Sequence, residues 1–143
     1  MSSYSEDPID WSTRGDLMNF KTIFIIHAIV PLAYGICFEL FPHLVLSIYG
    51  VTQGPGEILM GRYFGAALIG IGLVCWLARD VTDGKAQRSI ILALLISNII
   101  GVIVSVQGTL SGVMSAAGWS AVGIYVLLGL GVAYLFMRPG SPE

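Results

Sequence analysis

Four apolar runs separated by short polar connections dominate this chain, and few folds can accommodate them. They read Phe20–Phe41, Ile58–Ala78, Ser89–Val106 and Trp119–Met137. A helix needs about 20 residues to cross about 30 Å of hydrocarbon, and each run is close to that length. Hydrocarbon offers the backbone no hydrogen-bond partners, so a spanning segment is a helix or part of a closed barrel. Barrel strands alternate apolar and polar residues, and these runs do not. The expected fold is all-α, an integral membrane antiparallel four-helix bundle with short connections.

Composition favours lipid over a water-excluding core. Of the 143 residues, 55% are hydrophobic and 11% are charged, against about 25% charged in soluble domains. The net charge of −2 excludes a nucleic-acid partner, which needs a basic face. The lipid bilayer is the expected partner. Other membrane subunits or a second copy come next.

The basic residues set a direction. Arg14 and Lys21 lie at the start of the first run, Arg79, Lys85 and Arg88 between the second and third, and Arg138 after the fourth. With four crossings, all of these fall on one side. Arg62 alone falls on the other. The positive-inside rule then places both termini in the cytoplasm. Three parts follow: an N-terminal cytoplasmic or interfacial segment over 1–19, a transmembrane domain over 20–138, and a short cytoplasmic tail over 139–143. The chain opens on Glu6, Asp7 and Asp10 rather than on a basic region, so the first run is expected to stay as an anchor and not to be cleaved. Two readings are open for the leader. Asp10 caps a short surface helix through Asn19, or the leader is unstructured. Pro42–Tyr49 likewise reads as an interfacial half-helix or as a continuation of the first span. Trp76, Tyr134 and Phe136 at one boundary and Phe41, Tyr49, Tyr63 and Trp119 at the other form an expected aromatic belt. Cys37 and Cys75 are expected near opposite faces, beyond the roughly 7 Å that a disulfide spans.

Small residues recur at helical spacing. Gly61 and Gly65, continued by Ala66 and Gly70, mark the second span, Gly101 and Ser105 the third, Gly129 and Ala133 the fourth. Such stripes let helix backbones approach closely in lipid. They serve packing within the bundle or a contact with another subunit.

Two polar groupings need a reason, because polar side chains in a span are costly unless paired. Glu39 and Arg62 lie at similar depth near the outer boundary and are expected to form a structural ion pair between the first two spans. The alternative makes Glu39 a proton or cation carrier. His27, Pro31 and Asn98 are expected to form an internal polar cluster or ligand site. Pro31 has no N–H to give the His27 carbonyl, and Asn98 lies at comparable depth. A pigment or haem on His27 is a further option. Bis-histidine haem is excluded within one copy, because His43 lies sixteen residues on, about 24 Å along a helix. No metal site or cofactor is expected. The chain carries no HExxH, phosphate loop or GxSxG elbow, and no enzyme activity is expected.

Gly61-Arg-Tyr-Phe-Gly-Ala-Ala-Leu-Ile-Gly-Ile-Gly-Leu-Val-Cys-Trp-Leu-Ala-Arg79 resembles the second span of uncharacterised small four-span bacterial integral membrane proteins. Ser111-Gly-Val-Met-Ser-Ala-Ala-Gly-Trp119 and the Gly-rich span after it extend the resemblance over Leu44–Arg138. It implies a four-helix bundle in a bacterial inner membrane and no particular chemistry. The leading functional expectation is an accessory or scaffolding subunit of a larger membrane complex. A small-molecule or lipid binder or transporter with a pocket near His27 and Asn98 is the second, and a pigment- or haem-bearing subunit the third.

Overall fold

A computed structural model describes residues 11–137, with side chains from Asn19 onward. The described residues form five helices: α1 Trp11–Leu40, α2 Pro42–Ile48, α3 Pro55–Ala78, α4 Gly84–Leu110 and α5 Gly118–Met137. Four of them are long and apolar enough to cross a membrane: α1 from Asn19 to Leu40, α3, α4 and α5. The fold is an all-α antiparallel bundle, and its long apolar helices make it a membrane protein.

The helix ends follow from local chemistry. Phe41 leaves helical geometry at φ −131°, and Pro42 then opens α2 at a position where a missing N–H costs nothing. Pro42–Tyr49 is therefore a separate helix and not a straight continuation of the first span. Gly50 ends it at φ +70°. The amides of Gly50 and Val51 reach back to the Ser47 and Leu46 carbonyls, the pattern of a Schellman C-cap. Asp83 caps α4 by accepting the Ala86 N–H at 2.6 Å. That cap starts α4 one turn or more before Ser89, where the apolar run begins, because the polar residues Lys85–Arg88 extend the helix beyond the hydrocarbon.

At the other end of the chain, α1 runs unbroken from Trp11 into the first span. Residues 11–19 thus continue the span and do not form a separate surface helix. The cap expected of Asp10, the position of Arg138 and the tail over 139–143 lie outside the described residues.

The bundle is built from two tight antiparallel pairs, α1 with α3 and α4 with α5. Glycine is what brings α1 and α3 together. A Cβ on Gly35 would sit 2.7 Å from the Gly65 carbonyl oxygen, one on Gly65 2.9 Å from that of Gly35, and one on Gly72 2.9 Å from that of Ala28. In α4·α5, a Cβ on Gly101 would strike the Tyr125 ring, and Gly129 packs on the Asn98 side chain. The pairs meet along α1 and α5, whereas α3 and α4, though consecutive, do not pack along their bodies. At the termini end, Phe20, Phe24, Ala28, Cys75, Ile91, Val132 and Leu135 fill the space between the pairs.

The small-residue stripes are therefore only partly as expected. Gly61, Gly65, Gly101 and Gly129 meet facing helices. Ser105 is buried and Ala133 half-buried. Ala66 and Gly70 are exposed, and nothing lies within 4 Å of a Cβ placed on Gly70. They stand on the outer face of α3. The contact line continues from Gly65 to Gly72, seven residues on, because two helical turns return to the same face.

Candidate functional site

His27 on α1 and Asn98 on α4 face each other across the bundle, 3% and 6% exposed. Asn98 Nδ2 lies 2.8 Å from the Leu94 carbonyl and 3.4 Å from His27 Nε2. A carbonyl only accepts, so the nitrogen assignment of the amide is settled by Leu94. His27 Nε2 then accepts the second amide hydrogen, which puts the ring proton on Nδ1. Nδ1 lies 3.3 Å from the Ile23 carbonyl and donates to it. The expected pairing of His27 with Asn98 is present in the structure.

Pro31 sits one turn beyond His27 and is buried inside an unbroken α1. With no N–H to offer the His27 carbonyl, it weakens the helix ladder beside the pair.

These residues line a central cavity of about 470 Å³ in the half of the bundle nearer α2. The volume falls within the range of about 300–1,000 Å³ typical of small-molecule sites. Two helical faces supply much of the wall. Residues His27, Pro31, Tyr34 and Phe38 project from α1, and Leu94, Asn98, Gly101 and Ser105 from α4. Leu46, Tyr49 and Val51 from the α2 region and Met114 from the α4–α5 connection line the far end. No charged side chain lines it. Its polar groups are few: the His27–Asn98 pair, Ser97, Ser105, Tyr125, and Tyr34 with Tyr49, whose oxygens lie 3.5 Å apart.

Tyr49 departs from the expected aromatic belt. It is buried at 8% exposure, because α2 lies over the bundle end. A clasp holds that end shut. The Ser115 N–H donates to the Tyr49 carbonyl at 2.7 Å and its hydroxyl to the Ile48 carbonyl at 3.1 Å. Gly50 makes room for it, since a Cβ there would lie 2.9 Å from Ser115 Cβ.

Glu39 and Arg62 make no ion pair in the structure. Glu39 is half-buried where its backbone meets Gly65, while Arg62 is exposed. Gly61 and Gly65 face α1, and Arg62, one residue on from Gly61, is turned about 100° away from that contact line. The ion pair that joins two spans is at the opposite end, between Lys21 on α1 and Asp80 just beyond α3, at 2.7 Å. Arg79 also reaches Asp80, at 3.3 Å, and stacks over Trp76. The charges themselves were visible in sequence; only the packing of α1 on α3 made these two neighbours.

The two cysteines are free, Cys37 exposed and Cys75 buried. His43 lies in α2 and contacts Gln53 at 3.1 Å. A haem or pigment on His27 Nε2 would have to displace the Asn98 amide. Comparisons with protein-family models, curated proteins and solved structures yield no match to this chain.

Proposed function

We propose that this protein is a non-enzymatic membrane-embedded binding protein that holds a small lipophilic molecule in its central cavity. The cavity carries the reading: a drug-sized space walled mostly by apolar side chains, with a buried and oriented polar pair on its surface. Binding sites combine those two properties, bulk apolar contact for affinity and few polar groups for orientation. A scaffolding subunit needs packed faces but has no use for a void, which costs stability through lost contacts. The cavity thus favours the binder over the accessory-subunit reading. The excess of basic residues at the termini end supports an orientation with both termini in the cytoplasm. The resemblance of α3 and α5 to small four-span bacterial proteins supports a bacterial inner membrane.

The test is direct. The full chain is purified in a mild detergent and extracted with organic solvent, and the extract is compared by mass spectrometry with that of an Ala121→Phe variant. Ala121 lines the cavity, and the larger ring would take up part of its space. The expected result is a small molecule that co-purifies with the native chain and is depleted at least several-fold in the variant. An identical extract from both, with the variant folded, would overturn the reading.

A further inference from the structure

The cavity has one open side. Its termini end is closed by the core around Phe24, Cys75 and Val132, and its far end by Leu46, Tyr49 and Met114. Close glycine contacts shut the α1–α3 and α4–α5 sides, and the residues of α1 and α5 that line the cavity are all buried or half-buried. Between α3 and α4 there is no matching contact line. The residues that both line the cavity and are exposed are Phe64 and Ala67 of α3 and Ser97, Ile100 and Val104 of α4. Every one lies on those two helices, within the apolar spans. The opening therefore faces hydrocarbon and not water.

The polar pair restricts what can occupy the cavity. Both amide hydrogens of Asn98 are engaged, by the Leu94 carbonyl and by His27 Nε2. The remaining His27 nitrogen is engaged by Ile23. Asn98 Oδ1 is left with no donor among the described residues. No fully enclosed side-chain nitrogen or oxygen there lacks a partner, so Oδ1 borders open space, and the open space beside Asn98 is the cavity. An acceptor that faces an apolar space without a donor is costly, and a ligand that supplies one relieves that cost. The absence of charged liners disfavours an ionic head.

We propose that the cavity is filled sideways from the bilayer, through a port between α3 and α4, by an uncharged lipophilic alcohol or phenol whose hydroxyl donates to Asn98 Oδ1. The proposal rests on the reading of the cavity as a binding site and names the class of its ligand and the route of uptake. Tyr34 and Ser105 each lie seven residues from the pair along its own helix, about 10 Å toward α2, so the cavity offers that length beyond the pair for the apolar body.

The experiment uses the full chain in lipid nanodiscs with two probes, farnesol and farnesyl methyl ether. They are similar in size and differ in the donor. Binding is read by native mass spectrometry and its rate by competition with a fluorescent farnesol analogue. The expected result is that the alcohol binds about three- to tenfold tighter than the ether, the range of a single net hydrogen bond. Asn98→Leu brings the two to parity. Ser97→Phe, at the lipid-exposed port, slows both uptake and release at least severalfold. Because Asn98→Leu also removes the partner of His27, the two-probe comparison on the native chain stands as the test if that variant fails to fold. Equal binding of alcohol and ether overturns the ligand class while leaving the binding site standing. Unchanged rates in Ser97→Phe overturn the port alone. No binding of either probe, together with a native extract empty of small molecules, overturns the site itself.

Discussion

Asn98 shows how much a single buried amide constrains a membrane interior. Its two amide hydrogens go to a helix carbonyl and a histidine nitrogen, and the proposal gives its oxygen to a ligand in the cavity that Asn98 lines. Interhelical hydrogen bonds in lipid average about 0.6 kcal/mol, so Asn98→Ala is expected to lower unfolding free energy by about 0.5–2 kcal/mol in a detergent titration. A second residue-scale prediction concerns acid. The Lys21 ammonium, hydrogen-bonded to Asp80, holds that carboxyl below its ordinary value of 3.8. A depressed folded-state value stabilises the fold above pH 3.8, and the stabilisation is lost as pH falls through the lowered value. Unfolding curves collected between pH 6 and pH 3 (roughly the span of a carboxylate titration) are expected to show a loss of stability below about pH 4 that Asp80→Asn flattens. His27 and Asn98 were legible in sequence because a polar residue inside an apolar run stands out. Their contact was inferred from equal depth, and the structure places them together. Equal depth failed for Glu39 and Arg62, because depth says nothing about the rotation of a helix about its axis.

At the level of elements, glycine decides which helices pair. Gly65→Leu would drive a side chain into the Gly35 carbonyl and Phe38, and is expected to destabilise the α1–α3 pair by about 1–3 kcal/mol or more. Gly70→Leu, on the lipid-facing side with open space around it, is expected to stay within about 0.5 kcal/mol. Both are read from denaturant unfolding in bicelles. Turn glycines give a second contrast. Gly50 and Gly112 both hold positive φ, at 70° and 75°, where an L side chain costs about 1–2 kcal/mol. Gly112→Ala should cost that amount alone. Gly50→Ala should cost more, since its methyl also meets Ser115. The existence of four spanning helices was readable because an apolar run of that length has few alternatives. The polar extension at Gly84 was not, since hydropathy marks where lipid ends and not where a capped helix ends; at the other terminus a helix through Asn19 was one of two readings, and its continuity with the span was not legible.

At the scale of the whole molecule, most of each described span is not buried; in α5 only 11% of it is. Lipid therefore covers the outside, and the interior is free to be specialised, packed at the termini end and hollow toward α2. The proposed orientation makes a labelling prediction at this scale. In a Cys37→Ser background, a cysteine at Gln53 should react with an impermeant maleimide added to right-side-out cells, and one at Thr82 only after the membrane is opened. The reverse pattern would invert the topology. By itself the sequence determined the helical class, the number of spans, the end that carries the basic residues and the pairing of His27 with Asn98 between helices. These follow from length, hydropathy and charge, which act on each segment independently. Only the tertiary structure decided that α1 pairs with α3 and α4 with α5, that Asp80 and not Glu39 joins two spans, and that the space left beside Asn98 opens between α3 and α4. Those features depend on helix rotation and on mismatched close approach, where glycines bring two backbones together on one side and leave a gap on the other. No single segment encodes such a gap, because it is made by what its neighbours fail to fill.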